Sequence, residues 1–147
     1  MYVPGDSSQT ETIRAKNIVV TVGGRPTLPT KEIPDIEKLV ISSDDLFWLK
    51  KSPGKTCIVG GGYIAAECGG FLATFGNEIT MIVRSTLLSS FDSDMTKKIG
   101  AHMESHCGVK FQYKSIVKEI KETQDGRKRV VWENTETVYS HLSLCET

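Results

Sequence analysis

Apolar residues in the 147-residue chain fall into short runs separated by clusters of Gly, Pro, Ser and Asp, and the period of each run predicts an element. Residues 15–22 (AKNIVVTV) are β-rich and stop at Gly23-Gly24-Arg25-Pro26, which predicts a buried strand ended by a glycine turn. Pro26, Pro29 and Pro34 make 24–40 an extended crossing segment. Ser42-Ser43-Asp44-Asp45 supplies cap chemistry for a short helix from Asp44 to Leu49, and Lys51 to Lys55 is a turn around Pro53-Gly54. Thr56 to Val59 (TCIV) and Ile79 to Val83 (ITMIV) are apolar without alternation, the pattern of strands covered on both faces and hence of a parallel sheet. Between them, Tyr63 to Thr74 carries Ile64, Ala65, Cys68, Phe71 and Leu72 at helical spacing, and Gly76-Asn77 stops the helix. Strand, helix and strand in direct succession form a right-handed βαβ unit.

Asp92 to His106 predicts another helix, closed by Gly108, and Val109 to Tyr113 a third strand. Ile116 to Glu122 and Arg129 to Glu133 alternate on either side of Asp125-Gly126, so a β-hairpin or meander follows. Residues 138–147 (VYSHLSLCET) are expected to be irregular. The fold class is therefore α/β, a Rossmann-like βαβ parallel sheet with a β-hairpin or meander.

Composition narrows the class. At 39% hydrophobic and 24% charged, the chain is globular in type and too apolar to stay disordered. The 18 Lys+Arg balance the 18 Asp+Glu, which argues against a nucleic-acid partner held by phosphate neutralisation. No apolar run approaches the roughly 18 residues of a membrane span. The polar segment 1–12, with Asp6 and Glu11, does not read as a secretory signal. One soluble domain with no nucleic-acid and no membrane partner is expected. Cys57, Cys68, Cys107 and Cys145 form no CxxC pair and stand at no zinc spacing with the three histidines, so no metal site is expected. Cys57 and Cys68 fall in apolar settings and read as buried, reduced thiols. Cys145 sits in the tail beside Glu146, which would raise its pKa.

Candidate chemistry lies at Gly60-Gly61-Gly62-Tyr63-Ile64-Ala65, a G-x-G-x-x-A run between a predicted strand and a predicted helix. Gly60 permits the tight turn, Gly62 lets a pyrophosphate approach the backbone, and Ala65 is small enough for helix and sheet to pack. Free N–H groups at the helix start then face the phosphates. The end of the second strand carries Arg84-Ser85 where an NAD site places a carboxylate. Arg84 is either a solvated surface charge or a bidentate partner for a 2′-phosphate, and its position favours NADP(H). Glu67 either complements the helix N-terminus or points at a redox centre outside this unit.

Over roughly residues 15–122, and most specifically from Ser42 to Met95 (within ISSDDLF…PGKTCIVGGGYIAAECGGFLATFGNEITMIVRSTLLSSFDSDM), the chain resembles the large, glutathione-reductase-like thioredoxin reductases. These belong to the class I pyridine nucleotide-disulfide oxidoreductases. The resemblance implies a three-layer ββα nucleotide-binding domain. It implies that Tyr63 covers the nicotinamide pocket and that Glu67 pairs with a flavin-side lysine. It makes Arg84 and Ser85 the 2′-phosphate ligands, Arg25 an arginine near the cofactor, and Gly23 a residue near the flavin. Ser89 or Ser90 stands where such enzymes usually carry a second arginine, so weaker discrimination against NADH is expected. The flavin glycine loop, CxxxxC disulfide and dimerisation domain of those enzymes have no counterpart in this sequence, so the resemblance implies a piece of a longer enzyme. Its expected division is a flavin-domain remnant and linker at 1–40, an NADPH-binding domain at 41–137 and a tail at 138–147. The whole enzyme would pass electrons from NADPH to FAD to thioredoxin or another disulfide, as a cytoplasmic homodimer, with a mitochondrial form left open. The isolated chain would be inactive. The alternatives are a non-catalytic NADP(H)-binding or interaction module, or a piece of glutathione reductase or dihydrolipoamide dehydrogenase.

Overall fold

The computed structural model describes residues 12–132, 135–139 and 141–144. In chain order the elements are α1 (Ile36–Leu39), β1 (Ile41–Ser42), α2 (Ser43–Leu46), β2 (Thr56–Val59), α3 (Tyr63–Thr74), β3 (Ile79–Val83), α4 (Ser93–Cys107), β4 (Lys110–Tyr113), β5 (Val117–Glu122), β6 (Lys128–Trp132), β7 (Thr135–Tyr139) and β8 (His141–Leu144). A five-stranded sheet in the order β1-β8-β2-β3-β4 forms the central layer, and every neighbouring pair in it is parallel. A second, three-stranded antiparallel sheet, β5-β6-β7, forms an outer layer.

The lack of alternation in β2 and β3 is explained by burial on both faces. Ile58, Met81 and Val83 pack on one side with Ala65, Cys68 and Leu72 of α3 and Met103 of α4. Cys57 and Ile82 pack on the other side with Ile36, Ile120, Val130, Trp132 and Tyr139. All five residues of β3 are buried. Small residues let α3 come close to the sheet: a Cβ added at Gly69 would lie 2.9 Å from Met81 Sδ. Asn77 stops α3 and ties three segments together. Its Nδ2 donates to the Leu72 carbonyl at 2.8 Å, and its Oδ1 accepts from the Gly54 N–H at 2.9 Å and from the Ser52 hydroxyl.

Three expectations are corrected. Residues 15–22 form no strand. Ile18, Val19, Val20 and Val22 are each about four-fifths exposed or more. High β-propensity makes a strand only where another strand accepts its backbone bonds, and none of the described strands runs beside it. The tail expected to be irregular instead contains the end of β7 and all of β8, which lies between β1 and β2. A four-residue segment gains a strand's hydrogen bonds from two neighbours at once, and no local period announces it. The short helix expected at Asp44–Leu49 is regular only over Ser43–Leu46. It tightens into three-residue turns, Trp48 N–H to the Asp45 carbonyl and Leu49 N–H to the Leu46 carbonyl. The segment 1–11, Glu133 and Cys145 lie outside the described residues.

Candidate functional site

The site begins where β2 must become α3 within three residues. Gly60 makes the turn with φ of 139°, which favours glycine, and its N–H donates to the Ile82 carbonyl at 3.0 Å. Gly62 caps α3 in extended backbone, φ −77° and ψ 178°. The glycine between them is the one the packing demands. A Cβ at Gly61 would come 2.7 Å from Val83 Cγ1 and 3.2 Å from the Thr86 carbonyl oxygen. The Gly61 carbonyl accepts the Leu88 N–H at 2.6 Å, which binds the glycine loop to the loop after β3. Spacing alone left Gly61 as a free position of the motif. Only the unbroken run of three glycines signalled its role.

Within α3, Ala66 is the first residue whose N–H reaches a carbonyl, that of Gly62 at 3.1 Å. The N–H groups of Tyr63, Ile64 and Ala65 precede it and have no carbonyl one turn behind them. Together with the helix dipole they make this end of α3 suited to an anion. Ala65 is fully buried against the sheet, the support its small size was expected to provide.

A cleft of about 600 Å³ opens at the carboxyl ends of β2 and β3. Gly60, Gly61, Gly62 and Tyr63 line one side, and Arg84, Ser85 and Thr86 another. The sheet extends away from β2 in both directions here, towards β8 and towards β3, so the cleft sits at a topological switch point. Its charged lining residues are Arg25, Arg84 and Glu32. Main-chain N–H groups, a guanidinium on an exposed loop and several hydroxyls form a donor set that fits a phosphorylated dinucleotide. Arg25 reaches the cleft as an exposed residue, its Nη1 paired with Asp44 Oδ2 at 2.7 Å. Ser89 and Ser90 also line the cleft.

The remaining candidates lie apart from that cleft. Glu67 is exposed and lines a second, apolar concavity of about 700 Å³ between α3 and α4. Half-exposed Tyr63 is common to both, so it stands between Glu67 and the glycine loop. Gly23 has φ of 67° and open space around it, and it does not line the first cleft. Among the described residues no group of three or more His, Cys, Asp or Glu gathers for a metal ion. Cys57 is fully buried, and desolvation pushes its thiol pKa far up, which leaves it inert.

Residues 2–145 match the family model described as pyridine nucleotide-disulphide oxidoreductase. The chain belongs to that family. It is 40% identical over 124 residues to thioredoxin reductase of Plasmodium falciparum (isolate FCH-5), which covers 84% of this chain and 23% of that protein. The relative from isolate 3D7 gives the same identity and covers 20% of its length. The chain thus spans about a fifth of the curated relatives it matches. Among solved structures it resembles the Cu(II) complex of RclA, an HOCl-induced flavoprotein disulfide reductase of Escherichia coli. That match has a TM-score of 0.77 at 26% identity and covers 86% of this chain and 29% of that one. An engineered water-forming NADPH oxidase derived from the Lactobacillus brevis enzyme shares the fold, with a TM-score of 0.74 at 24% identity, covering 86% and 29%. No helix among the described residues is long and apolar enough to cross a membrane.

Proposed function

We propose that the chain is the NADPH-binding portion of a flavin-dependent, thioredoxin-reductase-like disulfide oxidoreductase. The observation that carries this reading is that Arg84-Ser85 and the glycine loop line one cleft. In this reading the N–H groups at the start of α3 receive the pyrophosphate, and the Arg84 guanidinium and Ser85 hydroxyl receive the 2′-phosphate. Tyr63 covers the nicotinamide end. Glu67, on the far side of Tyr63, faces the flavin side of the whole enzyme, with Arg25 and Gly23 on the approach to it. When bound, NADPH supplies a hydride and FAD carries the electron pair onward to a disulfide. Thioredoxin is the electron acceptor suggested by the Plasmodium relatives, and a homodimer is the assembly.

The two water-forming oxidases support the choice of nucleotide. The Lactobacillus brevis enzyme is described bound to NADH, and its engineered NADPH-using form differs by five substitutions. Three of them create an Ala and, nineteen residues later, an adjacent Arg-Ser pair, the spacing of Ala65, Arg84 and Ser85 in this chain. A fourth removes an Asp just before the arginine, where Val83 stands here. The fifth adds an arginine six residues beyond the first, where this chain has Ser90. One of two cationic contacts is therefore missing, and NADPH is favoured less strongly than with both.

The test is a calorimetric titration of the chain with NADPH and with NADH. Arg84→Ala should weaken NADPH roughly ten- to hundredfold, the loss of a charge-assisted bond, and leave NADH nearly unchanged. Equal losses for both nucleotides would refute the 2′-phosphate role.

A further inference from the structure

We propose that His102 and His106, one turn apart near the end of α4, form a two-imidazole site for a borderline divalent metal ion such as Zn(II), Ni(II) or Cu(II). Both side chains are exposed, and their rings stack with centroids 4.4 Å apart and an 18° angle between planes. The i, i+4 spacing puts both rings on one helix face, the arrangement by which helical histidine pairs grip a metal.

The hydrogen bonds around His106 prepare its tautomer. Ser105 Oγ lies 2.7 Å from the Ala101 carbonyl oxygen and 2.7 Å from His106 Nδ1. A serine hydroxyl has one proton, and the carbonyl can only accept, so that proton goes to Ala101. Ser105 Oγ must then accept from Nδ1–H of His106. This fixes the Nδ1–H tautomer and leaves the lone pair of Nε2 free for a metal. The stacked rings do not yet converge on one point, and metal binding would draw on the broad χ2 torsion of histidine to turn both nitrogens towards one ion. Neutral imidazoles suit the late first-row metals. No third His, Cys, Asp or Glu gathers with the pair among the described residues. Water therefore completes the coordination, and the site stays open to a further ligand.

The experiment is a calorimetric titration of the full chain with NiCl2, repeated on four variants. The wild-type chain should bind one Ni(II) saturably. His102→Ala and His106→Ala should each lower the affinity at least tenfold, and the double variant should abolish binding. Ser105→Ala, which frees the tautomer without removing a ligand, should cost about tenfold. All substituted side chains are solvent-exposed, and an unchanged helical circular dichroism spectrum shows that the variants are folded. Absence of saturable binding by the wild-type chain overturns the proposal. So does a double variant that binds as tightly as wild type. A Ser105→Ala variant with full affinity overturns the positioning role of Ser105.

Discussion

Gly61 touches more of the site than its place in the motif suggests. Its missing Cβ makes room for Val83 and Thr86, and its carbonyl holds Leu88, so one residue sets the distance between the glycine loop and the Arg84 loop. Gly61→Ala should destabilise the chain by about 1–3 kcal/mol through overpacking, read as a lower urea midpoint at unchanged slope. Combined with Val83→Ala, which removes the methyl it meets, the double variant should be more stable than the sum of the two losses predicts. Strict additivity would show that the loop relaxes away without cost. The buried Cys57 gives a second check. Its thiol should react with an aromatic disulfide reagent only when the chain unfolds, whereas half-buried Cys107 reacts sooner. At this scale spacing made Gly60, Ala65 and Arg84 candidates and included Gly61 as a member of the glycine run. It did not give the packing reason for Gly61, which depends on a side chain more than twenty positions away.

Elements are held by a few polar contacts at their ends. The Asp45 carboxylate accepts from the Ser42 N–H at 2.9 Å and from its hydroxyl at 2.7 Å, and these bonds hold its pKa below the ordinary carboxylate value. A lowered folded pKa contributes stability that is complete above the unfolded value near about 3.9 and is lost as pH falls through the folded value. Asp45→Asn should therefore lower stability at pH 7 and flatten the acid limb of the stability profile. An unchanged acid limb would exclude the cap as its source. Asn77 is the second such contact. Asn77→Ala takes from the Gly54 N–H and the Ser52 hydroxyl their shared acceptor, while the Leu72 carbonyl keeps the main-chain N–H of residue 77, at a cost of about 1–3 kcal/mol measured by thermal unfolding. The periodic elements were the legible ones. α3 and β3 run over the residues their patterns predict, and α4 starts directly after its Asp92 cap. β1 has only two residues, and β8 (HLSL) lacks the unbroken apolar run that made the equally short β2 (TCIV) legible, so neither announced itself.

In the whole molecule, stability and the site depend on a sheet assembled from distant parts. β8 separates β1 from β2, so deleting residues 140–147 opens the edge of β2 beside the glycine loop. The shortened chain should aggregate at concentrations where the full chain stays monodisperse in light scattering. Equal behaviour would show that β8 adds nothing to the sheet. The exposed run 18–22 marks the opposite case, strand-like residues with no described strand beside them. Both cases set the limit of reading locally: pairing is decided by what lies alongside, and no single segment encodes it.

The order of the central sheet also bears on how the protein is made. A ribosome delivers the chain from its N-terminus, so β1 and β2 emerge early and β8 emerges after every other element described here. The gap between the first two central strands must stay open through synthesis of about eighty residues, from the end of β2 to the start of β8, since its occupant does not yet exist. The nascent sheet is thus a structure waiting for its middle, most dependent on chaperone shielding just before β8 leaves the ribosome.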